Sequence, residues 1–248
     1  TPTGSSGATD PSTENTAAGY RRINEPNPED PLDAHIFELD NGLQVLLTEN
    51  HEEPRFYAEI AVRAGSKHDP ADATGLAHYL EHLLFKGNQN LGTLDYEAEK
   101  PHLDRIVELY EEHFQEVDPA RRAEIYAEIN TEAQQAAEYA IPNEIDKLYN
   151  GMGGSGLNDH TWYEESVYKV GLPGNRLAQW ADFEADRFVD PVFRLFHTEL
   201  ETVYEEKNRT LDNGGRIIGT AVDELLYKVH PYGQQPTIAV SYTHLRAH

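Results

Sequence analysis

The sequence contains no cysteine and few basic residues. Without cysteine the fold has no disulfide bonds, and a metal site would have to use nitrogen and oxygen ligands. Lysine and arginine together number 20 against 44 aspartates and glutamates, which gives a formal charge of −24. Because phosphate binding requires a basic surface, this balance argues against a nucleic-acid partner. The sequence also lacks an apolar run long enough to span a bilayer.

Composition separates a polar start from a folded part. Residues 1–32 begin with a small, polar stretch that has almost nothing to bury, and we expect a disordered tether there. Residues 33–240 carry the periodic patterns of a folded domain. A polar stretch of this kind often follows a secretory or lipoprotein signal that has been removed, so we expect the bacterial periplasm or cell envelope as the compartment.

The coarse order of elements is strands, helix, strand and helices. The stretch "HIFELDNGLQVLLTEN" alternates apolar and polar residues around Asn41 and Gly42, which predicts a β-hairpin. Residues 55–65 predict a third strand, and Thr74 is a candidate cap for a helix over residues 75–87. Three further helical stretches lie near the end. The pattern predicts an α+β fold in which helices cover a mixed β-sheet.

Residues 96–145 are acidic and helical in period, with a break at Asp118 and Pro119. Each half carries one apolar stripe, the first around Leu109 and the second around Ile125 and Ile129. We therefore predict a helical hairpin that is mostly solvated.

The stretch "GLAHYLEHLLFKGN" carries the chemistry. His78 and His82 are four residues apart, so both imidazoles leave one face of a helix and can bind one ion. Glu81 lies near the same face, where it can reach a water molecule beside the metal without being a ligand. Zinc suits imidazole and carboxylate ligands, and it lowers the pKa of a bound water to about 7, so that Glu81 can take the proton.

Two alternatives stay open at this point. The histidines and Glu81 could lie by chance on a surface helix, although Leu76, Leu80, Leu83 and Leu84 indicate a largely buried one. A catalytic zinc site also needs a third protein ligand. The stretch "FHTELETVYEEKNR" offers Glu199 and Glu206, which are seven residues apart and share a helix face, but the residues alone do not choose between a ligand and a solvated acid.

Residues 63–88, "RAGSKHDPADATGLAHYLEHLLFKGN", resemble the zinc-motif region of the pitrilysin and insulin-degrading enzyme family. The segment "ELETVYEEKNR" resembles the distal helix of that family, and the resemblance extends over residues 36–238. By this resemblance Glu206 is the third zinc ligand, Glu199 assists catalysis, and Asn158 contacts the substrate on a strand. Asp159 stands where the family commonly has alanine.

The resemblance implies a zinc metalloendopeptidase with one zinc ion per chain, acting on a peptide or an unfolded polypeptide. Family proteases have two homologous halves, and we expect this chain to be a fragment that holds the zinc-binding half. The other half would lie on the same gene or on a partner subunit. The hairpin at 96–145 is then interpreted as an insertion, and residues 241–248 as a tail outside the family pattern, an artefact. The alternatives are an inactive structural homologue and a non-enzymatic acidic helical adaptor.

Overall fold

The computed structural model describes residues 19–25 and 27–233. These residues fall into two compact units, one that ends at Pro54 and one that begins at Arg55. Residues 1–18 of the predicted tether and the predicted tail at 241–248 lie outside the described residues, whereas Tyr20–Arg22, inside the predicted tether, form a strand. Among the residues described, no helix combines the length and the hydropathy needed to cross a membrane.

The first unit is a three-stranded antiparallel sheet. Its strands are β1 (Tyr20–Arg22), β2 (His35–Leu39) and β3 (Gln44–Leu47), in the order β1-β2-β3. The turn between β2 and β3 contains Asn41, whose side chain accepts from the backbone N–H of Leu43, and Gly42 at φ 88°. The predicted hairpin is therefore present, and the positive φ explains why glycine stands there.

The second unit contains a second antiparallel sheet and seven α-helices in its described part. Its strands, in the order β4-β6-β5, are β4 (Arg55–Val62), β5 (Ser155–Thr161) and β6 (Ser166–Pro173). Its helices are α1 (Leu76–Leu83), α2 (Tyr96–Gln115), α3 (Pro119–Ala137), α4 (Glu144–Gly151), α5 (Leu177–Val189), α6 (Phe196–Leu211) and α7 (Gly214–Leu226). The predicted mixture of helix and sheet, an α+β fold, is confirmed. The described strands form two antiparallel sheets rather than the one mixed sheet predicted, and the short turns that join β2 to β3 and β5 to β6 require antiparallel pairing.

Helices α4 and α5 bury one face of the second sheet. Val170 and Leu172 of β6 pack against Tyr149 of α4 and Phe183 of α5, and all four side chains are buried. Because β6 is the central strand, both of its neighbours are held in place by the same core. Strand β5 lies at an edge of this sheet.

Helices α2 and α3 pack against each other through the predicted apolar stripes, with Leu109, Ile125 and Ile129 buried between them. The side chain of Asp118 caps α3 by accepting from the N–H of Ala120. The pair is not merely a solvated addition, because Glu99 of α2 is fully buried and paired with Arg194, which precedes α6. That the pair is an insertion stays a prediction.

Two details of α1 differ from the sequence prediction. Thr74 does not cap the helix; the carboxylate of Asp69 accepts instead from the N–H groups of Gly75, at 2.7 Å, and Ala77, at 2.9 Å. The capping residue lies six positions before Gly75, whereas sequence patterns predict a cap only from the residue directly before the helix. Leu76 and Leu80 are half exposed, so α1 is buried on one side rather than all round.

Candidate metal centre

Packing between α1 and α6 brings the motif residues together. Tyr79 and Leu83 of α1 are buried against Leu200 and Val203 of α6. The hydroxyl of Tyr79 also donates to the carbonyl of Phe196 at 2.6 Å. His78 and His82 each precede one of these apolar residues of α1, so the contact that buries the apolar side chains also turns both imidazoles toward α6.

The two histidines meet Glu206 at the end of this contact. Glu206 Oε2 lies 3.5 Å from Nε2 of His78 and 3.5 Å from Nε2 of His82. One ligand atom from each of the three residues lies within 4.8 Å of the others. The predicted third ligand is therefore at the two histidines, although it lies 124 positions after His82 in the sequence.

The two distances to Glu206 fit a zinc ion. Bonds of 2.0–2.2 Å in tetrahedral directions place neighbouring ligand atoms about 3.4 Å apart. The observed separations of 3.5 Å match that spacing and are too long for good hydrogen bonds. His78 Nδ1 is also buried and has no hydrogen-bond partner within the described part of the chain. The three residues form a group that could hold a metal ion.

The charges around the two imidazoles differ. Burial lowers the pKa of His78 to about 4, and the neighbouring His82 contributes to the lowering. Burial would also lower the pKa of His82, but the hydrogen bond with Glu199 and the charges of nearby carboxylates outweigh it, so this pKa is raised. Without a metal, His82 therefore holds a proton more tightly than usual, and an ion that binds would displace that proton.

Glu199 lies behind His82 rather than among the ligand atoms. Its Oε2 is 3.2 Å from His82 Nδ1, and its Oε1 is 2.5 Å from the ammonium of Lys86. Burial would raise the pKa of Glu199, but the hydrogen bonds with His82 and Lys86 lower it overall. An ionised Glu199 accepts the Nδ1 proton of His82 and so leaves the Nε2 lone pair free for an ion.

Glu81 is buried next to strand β5. Its Oε2 accepts a hydrogen bond from the hydroxyl of Thr161, and the carboxyl of Asp159 is a second polar neighbour. Burial raises the pKa of Glu81 to about 8; the Thr161 hydroxyl opposes the rise and the Asp159 charge increases it. Such an environment suits a group that has to take up and release a proton near neutral pH.

Asn158 lies on the same strand but takes no part in these contacts. It is exposed, and its amide donates to the carbonyl of Asp159. Sequence reasoning missed Thr161 and Lys86 as neighbours of the site. The strand period offered a signal for Thr161, because residues two apart share a face and Asp159 already lay in the motif segment. Lys86 follows His82 by four residues, one helical turn.

A comparison with known proteins finds a family match around the histidine motif. Residues 44–117 match the family model for insulinase, peptidase family M16. The match covers the histidine motif and extends through α2. It does not reach Asn158, Glu199 or Glu206. The predicted resemblance to the pitrilysin and insulin-degrading enzyme family is confirmed by this match and by the relatives that follow.

Three relatives show how sequence identity and coverage vary among the matches. The chain is 39% identical to probable zinc protease PqqL of Haemophilus influenzae over 67 residues, which are 26% of the chain and 7% of the relative. It is 38% identical to human insulin-degrading enzyme over 63 residues, 25% of the chain and 6% of that enzyme. It is 25% identical to the peroxisomal insulin-degrading enzyme-like 1 of Arabidopsis thaliana over 234 residues, 94% of the chain and 19% of that protein. The chain thus spans only a small part of each relative's length.

Proposed function

From the insulinase-family segment in this chain, we infer that the protein is the zinc-binding part of a metalloendopeptidase. The observation that carries this proposal is the meeting of His78, His82 and Glu206 at ligand spacing, with Glu81 buried one residue before His82. We propose that the three residues hold one zinc ion per chain. A bound zinc ion supplies a Lewis acid that acidifies water and polarises a peptide carbonyl.

Glu81 is the proposed proton carrier. As a carboxylate it accepts a proton from the attacking water, and as a carboxylic acid it returns that proton to the amide nitrogen when the carbon–nitrogen bond breaks. The net change is the addition of one water across the peptide bond, and Glu81 ends in its starting state. Glu199 supports the reaction through His82, whose ring it orients.

The substrate is proposed to be an extended peptide. Strand β5 lies at an edge of its sheet, and an extended chain can pair with such an edge through main-chain hydrogen bonds. Asn158 is exposed on that strand, which is consistent with the predicted contact with substrate. Because the relatives are much longer, we propose that a second homologous half completes the binding of substrate. The chain alone should therefore bind zinc without appreciable turnover.

The proposal is tested by metal content and by turnover. Purified protein should hold about one zinc per chain, and H78A or H82A should abolish binding because each removes a ligand. In the longer protein that contains this chain, E81Q should keep zinc and lose activity by about 10²- to 10⁴-fold, because glutamine accepts no proton. The exposed Glu201 on α6 supplies the control E201Q, which should leave both unchanged.

The outcomes separate the alternatives. Equal zinc content in wild type, H78A and H82A would reject the metal site. Zinc binding without peptide turnover in the longer protein would instead indicate an inactive structural homologue. Chelator-resistant turnover that E81Q retains would assign the chemistry to other residues.

A further inference from the structure

Glu81 is held from the side of the second sheet, by strand β5. Thr161 and Asp159 are two residues apart on this strand, so their side chains share the face that meets α1. Both are polar neighbours of Glu81. Only Thr161 can donate a hydrogen bond while all the carboxyls nearby are ionised, because Asp159 then carries only acceptors.

Thr161 is itself anchored. It lies opposite Ser166 in the register of β5 and β6, and the two hydroxyl oxygens are 3.0 Å apart. The hydroxyl of Ser166 also lies 3.0 Å from the carbonyl oxygen of Ala64, just after β4. Thr161 and Ser166 are both buried. A row of hydroxyls therefore runs from Glu81 to the backbone, and water has little access to it.

The protons in this row are limited. Each hydroxyl has one proton, whereas the row from Glu81 through Thr161 and Ser166 to Ala64 contains three oxygen–oxygen contacts. When Glu81 is a carboxylate, Thr161 donates to it, and Ser166 can serve only one of its two neighbours. The proton of Thr161 is therefore used on Glu81, and Ser166 anchors Thr161 through the contact between the two hydroxyl oxygens.

We propose that Thr161 is a positioning residue for Glu81, anchored by Ser166, and that its hydroxyl holds the Glu81 side chain in place. The inference rests on the proposed role of Glu81 in peptide hydrolysis. Thr161 contacts neither histidine in the described hydrogen bonds, so its effect is on the proton carrier and not on the metal ligands.

The test compares T161V, which removes the hydroxyl at nearly constant shape, with T161S, which keeps it. In the longer protein, T161V should lower kcat by 10- to 100-fold, as expected for a displaced proton carrier, and leave KM within about threefold. T161S should restore kcat to within about fivefold of wild type. S166A should give a smaller loss than T161V, since it removes only the anchor. T131V is the control, because Thr131 lies on α3 and donates to the carbonyl of Ala127 within its own helix.

A second measurement uses the 248-residue chain and needs no activity. With 13C-labelled glutamate, the carboxyl signal of Glu81 is the one that E81Q removes. That signal should shift in T161V and return in T161S, while zinc affinity stays within about threefold in both, because no ligand is touched.

An unshifted Glu81 signal in T161V, or wild-type kcat in that variant, would overturn the inference. Equal losses of kcat in T161V and T161S would also overturn it, since the hydroxyl would then not be the cause. If the wild-type protein shows no zinc-dependent turnover, the proposed function fails, and the carboxyl signal still decides whether Thr161 holds Glu81.

Discussion

Two of the buried polar clusters in the described part of the second unit differ in whether the protein satisfies them. In the Arg194 cluster, the Arg194 guanidinium binds both oxygens of Glu99 and the carbonyls of Lys86, Asn88 and Leu91. All five of its N–H groups are used. In the histidine cluster, His78 and His82 face Glu206 at 3.5 Å, and His78 Nδ1 has no partner within the described residues.

The two clusters lie on neighbouring segments of the chain and have different roles. The Arg194 cluster ties the loop that follows α1 to α2 and to the start of α6, and so fixes the two helices that carry the histidine cluster. A satisfied buried network rigidifies a fold, whereas an unsatisfied buried group requires another explanation. The Arg194 cluster is complete, whereas Nε2 of His78 and Nε2 of His82 face Glu206 without a good hydrogen bond, and these are the atoms that would receive an ion.

Breaking the Arg194 cluster should have the largest effect on stability. R194M leaves the Glu99 carboxylate buried without its cation and removes donors from three carbonyls. Loss of one partner of a buried ion pair costs about 3–5 kcal/mol in the free energy of unfolding. Urea denaturation with a chelator present measures this cost without a contribution from bound metal.

The matched control for this prediction is R105M. Arg105 lies on α2, like Glu99, and its ion pairs with Glu108 and Glu112 are exposed. Exposed pairs contribute about 0–1 kcal/mol, so R105M should change the free energy of unfolding little. Similar losses in R194M and R105M would show that the Arg194 cluster does not act as the support described above.

The second prediction concerns the group that prepares His82. E199Q keeps the shape of Glu199 but removes its charge. If the glutamine oxygen accepts from His82, its amide group faces the ammonium of Lys86; if it is reversed, His82 takes the tautomer with Nε2 protonated. Either arrangement weakens the ligand, and zinc affinity should fall by about 10- to 100-fold.

Competition with a chromophoric chelator measures this loss at fixed pH. E205Q is the control, because Glu205 is exposed on the same helix. Unchanged zinc affinity in E199Q would show that the contact with His82 does not prepare it for metal.

The sequence was sufficient to predict the parts of the fold that depend on local pattern. The hairpin at Asn41 and Gly42, strand β4 and the stripes of α2 and α3 follow from periodicity and turn chemistry. The helix spacing of His78 and His82 predicted that one ion could reach both. These features need only neighbouring residues, and the structure contains them.

The features that failed or were missed depend on distant residues. The cap of α1 comes from Asp69, the cation of Glu99 comes from a residue 95 positions away, and the donor to Glu81 comes from a residue 80 positions away. Helix spacing made Glu206 a candidate, but only the resemblance chose between a ligand and a solvated acid. Buried polar contacts between distant segments are set by tertiary packing, which a single sequence does not display.

The last prediction concerns E81Q, which should raise the free energy of unfolding at pH 8, whereas R194M should lower it. Burial raises the pKa of Glu81 from 4.5 to about 8, so between these values the folded chain holds this proton more often than the unfolded chain does. The free energy of unfolding therefore falls as pH rises through this range.

E81Q removes the ionisation of residue 81 and keeps an oxygen that can accept a hydrogen bond from Thr161. With chelator present, E81Q and wild type should be equally stable near pH 4. At pH 8 the variant should be more stable, by up to about 4 kcal/mol. E201Q, at an exposed position of α6, should show no such divergence. Urea denaturation at several pH values checks both variants. If E81Q were less stable than wild type at pH 8, the buried carboxyl would be part of the support of the fold, and the contrast between the two clusters would not extend to the proton carrier.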